Sequence, residues 1–286
     1  MSFWLRLAGR LPLRVLHAFA TLLYWLVFRL GRVRAELVEK QVAASFPELD
    51  PAARARIVDA YHRHVADVAM EVVKGFAIRP DELRRRMRLA GLETLREQLA
   101  AGQPVLVLAA HVGNWEWLLL ALSLELGFPV DAVYKPLKNQ SADRAFLYMR
   151  SRFGCRLTPA KEIVPLVLGR RREVRAIAML ADQVPRSSPT RVWTRFLNQD
   201  TAFYPGPEEI ARAVRLPVYF IAVERVARGE YAAEIRHIAA VGPDLDRPKE
   251  VTRRYAESLE AQIRRRPGDW LWGHNRWKLK KPLYAK

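Results

Sequence analysis

Residues 104–116 read PVLVLAAHVGNWE, and this stretch decides the fold. Its first seven residues form a short apolar run behind a proline, as is typical of a strand that is buried on both faces. Polar residues follow at once, and the segment 115–127 then has the apolar content of a helix. A buried strand followed directly by a helix is the unit from which parallel sheets are built.

The same alternation continues to the end of the chain and predicts an α/β fold, with a mostly parallel central sheet flanked by helices. Arg228-Gly229-Glu230 is a short turn, which makes the last two strands an antiparallel hairpin. Before residue 101 the pattern is helical, and Asp50 followed by Pro51 marks the start of a long helix. Further strands are predicted at 130–134, 176–181, 218–223 and 231–238, and helices at 33–44, 52–76, 141–153, 162–169, 208–214 and 249–265.

The N-terminal segment is strongly apolar over residues 11–30, interrupted by Arg14 and His17. It predicts a hydrophobic helix that anchors the chain to a membrane over residues 1–32, either spanning the bilayer or lying in its interface. A buried core helix is the alternative. Arginines stand on both sides, so the positive-inside rule gives no orientation. The rest, 33–286, is expected to be one catalytic domain, with a helical part at 33–100 and an α/β core at 101–286.

The charge balance is unusual, with 48 Lys and Arg against 30 Asp and Glu, a formal net charge of +18. Such an excess indicates a polyanionic partner: an anionic membrane surface, an acidic protein or nucleic acid. The sequence contains no helix-turn-helix, zinc-ligand or aromatic RNA-binding motif, which argues against nucleic acid. Cys155 is the single cysteine, so no intramolecular disulfide forms, and we expect a buried structural thiol.

His111 and Glu116 are the strongest candidates for catalysis. His111 follows the buried strand, and in open α/β sheets the sites lie beyond the carboxyl ends of the strands. We expect the carboxylate of Glu116 to hold the imidazole, which then removes a proton from a hydroxyl group as a general base. The His-x4-acid spacing also occurs at His62 and Asp67. That pair lies in a long amphipathic helix, where surface exposure or ordinary packing is the expected role.

Four blocks in this order resemble the lipid A biosynthesis (late) acyltransferases, a family similar to the bacterial lysophospholipid acyltransferases. Residues 111–116 (HVGNWE) look like the family's His-x4-Glu motif. The other blocks are 134–139 (YKPLKN), 181–183 (ADQ) and the Trp-rich stretch 266–278 (RPGDWLWGHNRWK). The hydrophobic N-terminus also fits, so the resemblance covers nearly the whole chain.

The resemblance implies an acyltransferase of the bacterial inner membrane with a cytoplasmic active site. It would move a fatty acyl chain from an acyl carrier protein thioester, or from acyl-CoA, to a hydroxyl of a lipid A precursor, without a metal or cofactor. Transfer to a lysophospholipid or an amino-acid lipid is the alternative. Acyl carrier protein, a lipid acceptor and an anionic membrane surface are the implied partners, and nucleic acid is not.

Several further polar residues are candidates for binding substrate or the oxyanion of acyl transfer, with structural roles as the alternative in each case. Arginines after the second strand offer positive charge to an oxyanion, residues at the end of the 176–181 strand share an edge with His111, and lysines suit lipid phosphates. Tryptophans near the C-terminus suit either a membrane interface or the core. The candidates are Asn114, Lys135, Lys138, Arg150, Arg152, Asp182 and Gln183.

Overall fold

The computed structural model describes residues 2–185 and 190–281. Residues 282–286, the end of the predicted catalytic domain, lie outside this part. The helices in it are α1 (Ser2–Gly9), α2 (Leu13–Leu23), α3 (Ala35–Ser45), α4 (Pro51–Gly75), α5 (Pro80–Arg86), α6 (Leu92–Ala100), α7 (Trp115–Glu125), α8 (Gln140–Arg150), α9 (Ile163–Gly169), α10 (Gly206–Val214), α11 (Pro243–Asp246) and α12 (Glu250–Arg265).

The central sheet has seven strands in the order β1-β9-β8-β2-β5-β3-β4, and all neighbours are parallel except β8 and β9. This confirms the predicted α/β class and the antiparallel hairpin. A separate hairpin pairs β6 with β7. The strands are β1 (Met87–Ala90), β2 (Val105–Ala109), β3 (Val130–Tyr134), β4 (Arg156–Pro159), β5 (Ala176–Leu180), β6 (Val192–Phe196), β7 (Gln199–Phe203), β8 (Val218–Ala227) and β9 (Glu230–Ala239).

The sequence pattern missed the two edge strands and the small hairpin. β1 lies inside the segment expected to be purely helical, where it pairs with β9. β1 and β4 have four residues each, and each has only one buried position. Short edge strands with polar residues lack the apolar run by which the central strands were recognised.

β2 occupies the middle of the molecule, and all five of its residues are buried. Leu106 and Leu108 face one core cluster, which includes α10 and α12. Val105 and Val107 face the other, which includes α6 and α7. Because both faces are covered by helices, the strand is apolar at every position, and this explains the continuous run from which the fold was predicted.

The N-terminal helix lies along α4. α2 continues as a π-helical segment (Tyr24–Leu30), and the run Leu13–Leu30 is long and apolar enough to cross a membrane by length and composition, although 28% of it is buried in the protein. One face of it packs on the domain and the other is exposed. The buried side chains are Leu13, Leu16, His17, Ala20 and Tyr24, and the exposed ones include Phe19, Leu22, Trp25 and Leu26.

Candidate active site

His111 stands two residues beyond the end of β2, in a loop held by main-chain hydrogen bonds. Its carbonyl oxygen accepts a hydrogen bond from Leu271 N at 3.0 Å, and Gly113 N donates to Asp269 O at 2.9 Å. Gly113 has a φ of +61°, and a Cβ there would lie 2.8 Å from a methyl carbon of Val223. Glycine is therefore required, both for the left-handed backbone and for the close approach of β8.

Asp182 holds the imidazole of His111. The Nδ1 atom lies 2.7 Å from Asp182 Oδ1, and the main-chain N of His111 donates to Oδ2 at 3.1 Å. Trp270 Nε1 donates to the same Oδ2 at 2.9 Å. Since the carboxylate accepts the proton on Nδ1, the Nε2 atom is left with its lone pair, as a general base requires.

His111 and Asp182 shift each other's pKa values. Burial alone lowers the pKa of His111, but the charge and hydrogen bond of Asp182, together with the charge of Glu116, outweigh burial and raise it. Burial likewise raises the pKa of Asp182, but His111 and Trp270 lower it to about 2. Asp182 is therefore a carboxylate at neutral pH, and a carboxylate at this distance favours the protonated form of the imidazole.

Glu116 is close to His111 but does not hold it, contrary to the expected orienting role. Its carboxylate accepts two hydrogen bonds from Arg150, at 2.8 Å from Nε and 2.5 Å from Nη2. No hydrogen bond joins Glu116 to His111 within the described residues. The carboxylate that contacts the imidazole is instead that of Asp182, which lies two residues beyond the end of β5, the parallel neighbour of β2. The neighbouring strands β2 and β5 thus bring His111 and its carboxylate partner together, and the first turn of α7 does not.

The remaining candidates divide into those near His111 and those that support the fold. Gln183 is near, with Nε2 at 3.3 Å from His111 Nε2. Asn114 is fully buried and caps α7, accepting from Trp117 N. Arg152 donates to the main-chain oxygens of Gly75 and Ile78, at and just after the end of α4. Lys135 and Lys138 are exposed in the loop after β3, at the edge of the sheet where His111 lies.

Glu71 is a buried carboxylate that was not among the residues predicted from the sequence, and it supports the loop that carries His111. Glu71 on α4 is fully buried and accepts hydrogen bonds from Asn114 at 2.8 Å, Tyr231 at 2.7 Å and His17 at 3.1 Å. The signal was present in the sequence, because Glu71 follows Val68 by three positions in α4 and therefore lies on the same face of the helix as this apolar residue. A carboxylate at a core position of a helix needs several donors.

Two secondary predictions are confirmed, and one open alternative is decided. His62 is buried and stacks on Phe28 with ring centroids 4.7 Å apart, which is ordinary helix packing rather than a second site. Cys155 is buried, and burial raises its pKa to about 11. Trp270 and Trp272 are buried in the core, so the membrane-interface alternative does not apply to them.

No group of three or more His, Cys, Asp or Glu side chains that could hold a metal ion occurs within 2–185 and 190–281. The site brings together one imidazole, two carboxylates, one guanidinium and one amide. The chemistry that these groups offer is proton transfer and stabilisation of charge.

Comparison with known proteins shows what the whole chain is similar to. The sequence profile of a family described as bacterial lipid A biosynthesis acyltransferase matches residues 1–279. A lipid A biosynthesis acyltransferase from Haemophilus influenzae (strain ATCC 51907 / DSM 11121 / KW20 / Rd) is 24% identical over 234 residues, which cover 79% of this chain and 70% of that protein.

Proposed function

The chain belongs to the family of bacterial lipid A biosynthesis acyltransferases, and from this premise we propose that it moves a fatty acyl chain from an acyl carrier protein thioester to a hydroxyl of a lipid A precursor. Membership makes it an acyltransferase of lipid A synthesis, which uses an acyl donor and a lipid acceptor. The carrier protein as donor and the roles of individual residues belong to the proposal. The observation that carries it is the His111–Asp182 pair at the edge of the sheet.

In the proposed reaction His111 is the general base. Its Nε2 atom takes the proton of the acceptor hydroxyl while that oxygen bonds to the carbonyl carbon of the thioester. The tetrahedral intermediate then collapses, the carbon–sulfur bond breaks, and the proton on His111 passes to the departing thiolate. Asp182 stabilises the imidazolium between the two proton transfers, and such general acid–base work contributes roughly 10²–10⁴ in rate.

The oxyanion of the intermediate needs a donor or a positive charge close to His111 Nε2. Gln183 is suited to this because its amide nitrogen lies 3.3 Å from that atom and its side chain is exposed to an arriving substrate. Arg150 contributes positive charge, which acts at the imidazole by lowering its pKa. We assign Glu116 to holding Arg150 in place through their two hydrogen bonds.

We also place the protein on the cytoplasmic face of the bacterial inner membrane, where acyl carrier protein and the lipid precursor meet. The exposed apolar face of the N-terminal helix suits insertion into a bilayer. The net charge of +18 suits both anionic lipid and an acidic carrier protein.

The test is transfer of a labelled acyl chain from acyl carrier protein or acyl-CoA to a lipid A precursor by the membrane-bound protein. We expect His111→Ala to lower kcat by about 10²–10⁴ with intact folding. His237→Ala is the matched control, because His237 is exposed on β9 near the opposite edge of the sheet. Equal activity of the two variants would exclude His111 as the base, and faster transfer from acyl-CoA would exclude the carrier protein as the preferred donor.

A further inference from the structure

An arginine-lined cavity of about 640 Å³ lies outside the catalytic centre, between α4, the β8–β9 hairpin and the segment after α12. β8 runs parallel to β2, so its carboxyl end, and with it the cavity, lies toward the same edge of the sheet as His111. The cavity is lined by six arginines and a single acid, Asp269. The arginines are Arg56, Arg63, Arg225, Arg228, Arg265 and Arg266.

Ion pairs neutralise only part of this charge. Asp67 accepts from both Arg225 and Arg228, each at 2.6 Å, and Asp59 pairs with Arg63 at 2.8 Å. Asp269 lies 3.6 Å from Arg266. Arg56 and Arg265 are exposed and have no ion pair in the part of the chain that the structure describes. The three acids leave the six guanidinium groups with an excess of positive charge, which an anion would relieve.

The wall of the cavity between the arginines is apolar. It includes Ile57, Ala60, Pro267 and Gly268. A Cβ on Gly268 would lie 2.8 Å from the Cβ of Ala60, so glycine is what lets this segment pack directly on α4. Guanidinium groups above an apolar wall suit a ligand that has both a phosphate and hydrocarbon.

A second cavity, of about 270 Å³, extends the first toward the N-terminal helix. The two share Arg63, Arg225 and Arg228. The second is also lined by Ala20, Thr21, Tyr24 and Asp67, the acid that pairs with Arg225 and Arg228. Ala20 and Tyr24 lie on the buried side of the helix, and its other side exposes Phe19, Leu22, Trp25 and Leu26. The two cavities together, here called the arginine trough, therefore lie beside a surface that is suited to a bilayer.

We propose that the arginine trough binds the phosphate group of an anionic phospholipid while the exposed face of the N-terminal helix enters the acyl layer. Arginine pairs with phosphate through two parallel hydrogen bonds, and Arg56 and Arg265 have donors free for this. None of the six arginines hydrogen-bonds to the side chains of His111, Glu116 or Asp182 within the described residues. The site thus goes beyond the proposed acyl transfer and concerns how the protein is held on the membrane.

The experiment compares two double variants that remove the same charge. R56Q/R265Q removes the two unpaired arginines of the trough. R171Q/R172Q removes two exposed arginines before β5, at the opposite edge of the sheet. The full chain is mixed with vesicles of phosphatidylcholine containing phosphatidylglycerol, and the bound fraction is measured by sedimentation. Circular dichroism melts verify folding, and the single variant R56Q carries the same comparison if the double variant is unstable.

We expect R56Q/R265Q to lower vesicle binding about tenfold or more, since each arginine near an anionic surface is worth roughly 1 kcal/mol. Vesicle binding of the control variant should change by less than about twofold, because salt screens charge interactions beyond about 10 Å at 0.1 M. Equal losses in both variants would show unspecific attraction and overturn the proposal. Release of the wild type by inorganic phosphate, but not by chloride at equal ionic strength, would assign the trough to free phosphate and overturn it too.

Discussion

At the scale of single residues, the two carboxylates near His111 have different tasks. Asp182 binds the imidazole directly, whereas Glu116 is bound to Arg150 and acts on His111 through its charge. Both anions favour the imidazolium and therefore raise the pKa of the base. Their contributions can be separated by removing Glu116 alone, because the hydrogen bond from His111 Nδ1 to Asp182 then remains.

The first prediction concerns the pH dependence of Glu116→Gln. A general base works in its neutral form, so the activity of the wild type should fall as the pH decreases through a pKa above 6.5. The variant loses an anion and leaves Arg150 without its partner, and both changes lower the pKa of His111. We therefore expect the acid limb of kcat/KM to move to lower pH, together with a lower kcat.

Measuring kcat/KM between about pH 5 and 9 in both proteins checks this. Arg144→Gln is a suitable control, because Arg144 is on α8 like Arg150 but is exposed. Its side chain donates to Ser141 and not to Glu116. An acid limb of Glu116→Gln that stays in place or moves to higher pH would mean that Glu116 does not act on the base electrostatically.

The sequence placed His111 and Asp182 at one edge of the sheet but favoured Glu116 as the carboxylate that holds the imidazole, for a physical reason. His111 follows an apolar run within one short segment, so the strand and its end are visible locally. Asp182 lies 71 residues later, and the two meet because β2 and β5 are neighbours in the sheet. Strand order is set by packing across the whole domain, so the local pattern favoured the nearer acid, Glu116.

At the scale of elements, α4 connects the N-terminal helix to the catalytic loop. The carboxylate of Glu71 accepts one hydrogen bond from His17 on α2 and another from Asn114, the N-cap residue of α7. Lys74 donates to the carbonyl of Leu11 at 3.1 Å. The helix expected to be a separate anchor is therefore joined to the domain by polar contacts as well as by its apolar face.

The second prediction is that Glu71→Ala strongly destabilises the protein. The substitution leaves the donors of His17, Asn114 and Tyr231 buried without an acceptor, and breaking a buried charged network of this kind costs about 3–5 kcal/mol. Urea unfolding monitored by circular dichroism measures the change. Glu36→Ala on α3 is the matched control, exposed and expected to change stability by less than about 0.5 kcal/mol.

The contribution of Glu71 should also depend on pH with a definite sign. Its pKa is lowered in the folded protein, because the hydrogen bonds from His17, Tyr231 and Asn114 outweigh the burial that raises it. The stability that it provides is therefore present above its ordinary pKa of 4.5 and is lost as the pH falls through the lower folded value. If Glu71→Ala and Glu36→Ala unfold at the same urea concentration at neutral pH, the network contributes nothing to stability.

At the scale of the whole molecule, the catalytic edge of the sheet faces two sources of substrate under the proposed function. The lipid acceptor arrives from the bilayer, beside the exposed N-terminal helix, and the acyl chain arrives on a carrier protein from solution. The same edge carries His111, Gln183 and the loop with Lys135 and Lys138. Both substrates can then be bound at once, without an acyl group being stored on the protein.

The last prediction is direct transfer between two bound substrates. Storage on the protein would need an activated nucleophile, and Cys155 is unsuited because burial raises its pKa to about 11, which keeps the thiol protonated. We expect initial rates at varied donor and acceptor concentrations to give intersecting double-reciprocal lines, and Cys155→Ala to retain kcat within about threefold of the wild type. His111→Ala, in contrast, should lose turnover.

Protein mixed with acyl donor alone and quenched in acid should carry no acyl group when analysed by mass spectrometry. Parallel double-reciprocal lines, or an acylated protein that reacts when acceptor is added, would show double displacement. The acyl group would then pass through a covalent intermediate on the protein, and direct attack by an acceptor that His111 deprotonates would be wrong.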